Sequence, residues 1–66
     1  MKIEKDSHVK AIANIWHNLV KKDAIGIVVK VLDSGYNVYF PLSGLYSYTD
    51  QIFFCKPDQI ELHKTN

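Results

Sequence analysis

The pattern of apolar and polar positions is sharpest in the middle of the chain. Ile25-Gly26-Ile27-Val28-Val29-Lys30-Val31-Leu32 is short, rich in β-branched residues and bounded by turn formers, which predicts a strand. Asp33-Ser34-Gly35 follows, and Gly35 can supply the positive φ that a tight hairpin turn needs. Tyr36-Asn37-Val38-Tyr39-Phe40 then alternates, with Tyr36, Val38 and Phe40 on one face and Asn37 and Tyr39 on the other. The expected unit is a β-hairpin from Ile25 to Phe40.

Pro41 has no amide hydrogen for a sheet ladder and ends that second strand, and Pro41-Leu42-Ser43-Gly44 reads as a turn. Leu45-Tyr46-Ser47-Tyr48 and Gln51-Ile52-Phe53-Phe54-Cys55 are two further extended pieces parted by Thr49-Asp50. The pattern leaves open whether they are separate strands or one bent strand. Lys56-Pro57-Asp58-Gln59 predicts a single 3₁₀ turn, Ile60-Glu61-Leu62 a short closing strand, and the chain is expected to fray after His63.

The first 23 residues admit two readings. Val9, Ile12, Ala13, Trp16, Leu19 and Val20 recur at helical spacing, with Lys10, Asn14, His17 and Lys21 opposite and Asp6 or Ser7 available as a cap. Alternatively, Val9, Ala11, Ala13 and Ile15 alternate as a strand, leaving residues 14 to 23 as a long loop. Periodicity alone favours the helix.

Composition narrows the function classes. At 66 residues the chain has room for one domain and one core, here taken as residues 1–66, and 47% of its residues are hydrophobic. It carries a formal charge of +1, with five Lys against three acids in residues 1–23 and three Lys against four acids in residues 24–66. Nucleic-acid binders usually carry a stronger basic stripe, and this chain has no Arg to make bidentate phosphate or guanine contacts. Cys55 is the sole cysteine, so no intrachain disulfide is expected. The opening Met-Lys-Ile-Glu-Lys lacks the apolar run of a signal peptide, and no stretch approaches the ~20 apolar residues that span a bilayer. A cytoplasmic location with no membrane contact is the expectation.

Gly26-Ile27-Val28-Val29-Lys30-Val31 followed by Gly35-Tyr36-Asn37-Val38-Tyr39-Phe40 resembles the central hairpin of SH3-like barrels, and Pro57-Asp58-Gln59-Ile60-Glu61-Leu62 resembles their 3₁₀ turn and last strand. Within that class the chain is similar to small SH3-like proteins of tailed bacteriophages, which open on a Gly-Asp-x-Val-like strand and carry a Trp in the first long loop. Lys5-Asp6-Ser7-His8-Val9 lacks the usual Gly, whereas Trp16 lies where the loop Trp would be. The resemblance spans about residues 6 to 63. It implies an all-β, SH3-like barrel of about five antiparallel strands, with residues 8–21 as strand plus loop, and a phage or mobile-element origin with action in the host cytoplasm. The alternative is an α+β fold in which a helix over residues 8–21 packs on a four-stranded sheet.

No motif points to catalysis. His8, His17, His63 and Cys55 have no recognised zinc spacing, so no metal or other cofactor is expected. Cys55 follows two Phe residues and reads as a core thiol rather than a nucleophile. Asp33, Asp50, Asp58 and Glu61 lie at turns or on the last strand, and the glycines are too scattered for a phosphate loop.

The aromatic residues are the exception. Tyr36, Phe40, Phe53 and Phe54 already compete for a small core, which leaves Trp16, Tyr39, Tyr46 and Tyr48 in surplus. Exposed Trp and Tyr offer large contact area for little lost side-chain entropy. The reading is therefore a non-enzymatic interaction module that docks on an unidentified partner protein. Trp16, Tyr39, Tyr46 and Tyr48 would make the contact, with Lys21 and Lys22 at the rim. The competing packing role has Trp16 cap the barrel and the tyrosines cover the sheet. Two alternative functions stand beside it. One is nucleic-acid binding by Lys10, Lys21, Lys22 and Lys30 with stacking tyrosines. The other is homo-oligomeric self-assembly through an exposed edge at Ile52 to Cys55.

Overall fold

The computed structural model describes residues 3–16, 18–41 and 47–63. It is an all-β fold of five strands: β1 (His8–Ala11), β2 (Ile25–Val31), β3 (Tyr36–Tyr39), β4 (Ile52–Cys55) and β5 (Ile60–Leu62). They form one antiparallel sheet in the order β4-β3-β2-β1-β5. The hairpin expected between Ile25 and Phe40 is β2 and β3. No helix among the described residues is long and apolar enough to cross a membrane.

The helix over residues 8–21 does not form. Val9 and Ala11 are each buried by pairing on both sides, Val9 with Gly26 and Leu62, and Ala11 with Ile60. Ala11 also exchanges backbone bonds with the end of the following loop, donating to Ala24 O and accepting from Asp23 N–H. A helix would satisfy the same amides locally, yet it would leave β2 and β5 without the strand that joins them. Left-handed backbone at Trp16, Asn18 and Asp23 (φ 55°, 69° and 75°) also rules out a continuous right-handed helix. Helical spacing misled because Ile15 and Val20 turn inward from a loop, not from successive turns of a helix.

The alternation read from sequence places the core. Val9, Ala11, Val28, Val38, Phe40, Phe53, Cys55 and Ile60 point to one side of the sheet, where Ile15 and Val20 join them in a single buried cluster. Tyr36 packs against that cluster while partly exposed. Phe54 does not enter it: it is half-buried and belongs to the opposite face, as its register with Asn37 requires.

The connection between the outer strands forces the sheet to curl. In a flat sheet β4 and β5 would lie about 19 Å apart, four strand spacings. Only Lys56–Gln59 join them, in a turn closed by Gln59 N–H donating to Lys56 O at 2.9 Å. A turn of this kind brings its ends within about 7 Å. The two edge strands therefore approach each other at that end, and the sheet wraps round its core as a small barrel-like domain.

Three local expectations change. Gly35 has no positive φ; glycine is needed there because an added Cβ would fall against the Cys55 carbonyl and 2.9 Å from the Phe54 ring. The β2–β3 loop is closed instead by Leu32 N–H to Gly35 O at 2.8 Å. Secondly, Tyr48 is not extended: with φ −55° and ψ −46° it leads into a 3₁₀ helix at Thr49–Gln51, which also takes Gln51 out of β4. Thirdly, the turn expected at 41–44 and the extended piece from Leu45 reach into residues 42–46, outside the described residues, as do His17 and the residues after His63.

Candidate functional site

The loop from Ile12 to Ala24 is an ordered excursion. Ile15 and Val20 exchange two backbone bonds, 2.8 and 3.1 Å, and both side chains are buried. Leu19 N–H donates to Trp16 O at 3.0 Å and closes the tip, and Lys22 N–H donates to Asn14 Oδ1 at 2.8 Å across its base. Apolar anchors at Ile15 and Val20 thus hold a tip on which Trp16 and Leu19 are about half exposed.

Trp16 is fixed in three ways. Its backbone takes the left-handed conformation, which costs about 1–2 kcal/mol for a residue with a Cβ. Its indole Nε1–H donates to the Phe54 carbonyl at 3.1 Å, across 38 residues of sequence. Its ring lies 6.2 Å from that of Phe53, tilted by 48°. A strained backbone that persists marks a place where surrounding contacts over-determine the geometry. Here those contacts join the loop tip to strand β4.

Beside this ring lies an open groove of about 320 Å³ lined by Ile15, Trp16, Phe54, Lys56 and Gln59. Lys56 and Gln59 are set facing each other by the β4–β5 turn, where Lys56 N–H also donates to Gln59 Oε1 at 2.9 Å. The groove is an aromatic wall with one cation and one amide, chemistry suited to contact rather than to proton or group transfer. Among the described residues, no three His, Cys, Asp or Glu side chains converge as metal ligands would. Cys55 is buried, and that burial pushes its thiol up to about 11. At neutral pH it is a protonated core side chain, not a nucleophile.

The other aromatics predicted for the site fall elsewhere. Tyr39, on the outer face of β3, stacks on Tyr48 with ring centroids 4.8 Å apart and planes 23° apart. In register beside Tyr39 stand Ile27 on β2 and Ile52 on β4, so this pair tops an apolar stripe on the outside of the sheet. No ring contact joins the stripe to Trp16. Tyr46 lies outside the described residues. Lys21 and Lys22 are exposed on the return limb of the loop, and the lysine that lines the groove is Lys56. The residues not anticipated are Ile15, Phe54, Lys56 and Gln59. Only the turn signal at Pro57 hinted that Lys56 and Gln59 would be neighbours.

Comparison with protein-family models, curated proteins and solved structures finds no match to this chain.

Proposed function

We propose that the protein is a non-enzymatic interaction module, of the small SH3-like kind found in bacteriophages, that docks on a partner protein through the surface around Trp16. The observation that supports this best is the treatment of Trp16 itself. A large aromatic side chain is kept about half in solvent on a strained backbone, at the mouth of a groove, when the same fold buries Ile15 and Val20 from the same loop. Rigid, partly exposed aromatics with a polar rim are the usual centres of protein interfaces. Within this reading the contact surface is Trp16, Phe54 and Ile15 with Lys56 and Gln59 at the rim, and Tyr39 and Tyr48 form a second, separate patch. The lysines invoked for nucleic-acid binding are spread over the molecule: Lys10 faces Glu61 at 3.4 Å, Lys30 is on β2, and Lys21 and Lys22 are on the loop.

The experiment is site-specific photo-crosslinking in cells of the native source, with the probe at Lys56 or, as a control, at Lys30. A protein adduct from position 56 that is absent from position 30, and lost on Trp16→Ala in a chain that still folds, is the expected result. Equal adducts from both positions, or adducts indifferent to Trp16→Ala, would remove the site.

A further inference from the structure

Strand β4 is an edge without the usual protection. Sheet edges avoid pairing with other chains by being very short, charged, bulged, interrupted by proline or covered. Ile52-Phe53-Phe54-Cys55 contains no charge and no proline, and its pairing with β3 has no register shift. Phe40 N–H donates to Gln51 O at 2.9 Å, so by the alternation of an antiparallel ladder Phe53 and Cys55 bond to β3. Ile52 and Phe54 then turn their amide and carbonyl groups to the open edge. The Ile52 N–H is taken by Thr49 O at the end of the 3₁₀ helix. The Phe54 carbonyl is taken by the Trp16 indole.

We propose that Trp16 is a latch on the β4 edge: its indole N–H occupies the Phe54 carbonyl and thereby prevents β4 from pairing with β4 of a second copy. The occupant follows from the strand's own register. Antiparallel self-pairing centred on Phe54 exchanges Phe54 N–H and C=O between the two copies. It sets Phe54 against Phe54 and Ile52 against Lys56, with no like charges opposed. The acceptor that such pairing requires is the one Trp16 holds. Self-assembly through Ile52–Cys55 is thus open to the sequence and closed by the loop. This inference concerns the indole N–H and the edge, and it stands whether or not the exposed face of Trp16 docks on a partner.

Trp16→Phe keeps an aromatic ring and removes the donor. Sedimentation over a wide concentration range, with circular dichroism as the check on folding, reads the outcome. The native chain should sediment as one chain throughout, and Trp16→Phe should rise toward twice that mass as concentration increases. Adding Ile52→Lys, which opposes lysines at 52 and 56 twice in the paired register, should return Trp16→Phe to one chain. A folded Trp16→Phe that stays monomeric overturns the latch, as does a native chain that is already dimeric. Association that survives Ile52→Lys overturns the edge register. Should Trp16→Phe unfold, Phe54→Gly in the native chain keeps the indole bond and serves as the second measurement: dimerisation with Trp16 still bonded, seen as an unshifted indole N–H resonance, also overturns it.

Discussion

The two outer strands of the sheet solve the same problem by different means. β5 is three residues long, lies against β1 alone, and carries Glu61 outward toward Lys10. Its shortness and charge are sufficient protection for an edge. β4 is four residues of uncharged, strongly β-forming sequence, and what covers it is an indole from a loop 38 residues earlier in the chain. One edge is protected by its own composition and the other by tertiary structure. The lesson is that protection of the second kind can fail separately from the sheet, because a loop tip can move while the strands stay paired.

The largest effect that tests this contrast comes from the core beneath each edge. Phe53 on β4 is buried, and its ring lies 6.4 Å from Phe40 and 6.2 Å from Trp16. Phe53→Ala should destabilise by about 3–5 kcal/mol and Ile60→Ala, under β5, by about 2–5 kcal/mol, with Phe53 the larger of the two. A 66-residue domain has roughly 3–10 kcal/mol in total, so Phe53→Ala should leave much of the chain unfolded at room temperature. Urea denaturation of the two variants decides the order. An Ile60→Ala loss greater than that of Phe53→Ala would make β5 the anchoring edge and reduce Trp16 to a bystander.

The sequence reached much of this architecture and missed the part that makes the site. The hairpin was legible because alternation and β-branching are local properties, and Val38 and Phe40 are buried where period two puts them. Cys55 as a core thiol was legible for the same reason. The first half was not, because Val9, Ile12, Trp16 and Val20 carry a helical period by coincidence. The forces that override it are long-range: pairing of β1 with β2 and β5, and the inward anchoring of Ile15 and Val20. Candidate-site residues divided likewise. Surplus aromatics could be counted, so Trp16 was found, and the stacking of Tyr39 on Tyr48 is one way to place two of the surplus rings. No local pattern could bring Phe54, Lys56 and Gln59 to Trp16, since that proximity follows from the curl of the sheet.

Next in size is a pH effect confined to the β4 side. The Cys55 thiol is raised from 9.0 to about 11 by burial, so the folded state holds its proton where the unfolded state releases it. The resulting stability is fully present below pH 9 and is lost as pH rises through 9 toward 11. Cys55→Ala should flatten that part of the decline relative to the native chain, although lysines and tyrosines titrate in the same range in both proteins. Denaturation midpoints at pH 8 and pH 10.5, compared between the two proteins, check it. A decline of equal steepness in both would mean that the thiol ionises in place, and that the interior behind β4 is open to water.

The smallest effect belongs to β5. Lys10 Nζ and Glu61 Oε2 are 3.4 Å apart with both side chains substantially exposed, a geometry worth at most about 1 kcal/mol and usually less. Glu61→Gln should therefore shift stability only slightly, and less at high salt, where the pair is screened. Its informative readout is association, not stability. If charge protects the β5 edge, Glu61→Gln should still leave the chain monomeric, because a three-residue strand offers too few bonds to hold two chains together. Dimerisation of Glu61→Gln in sedimentation would show that strand length is no protection here. The two edges would then be alike, each closed by a single side chain.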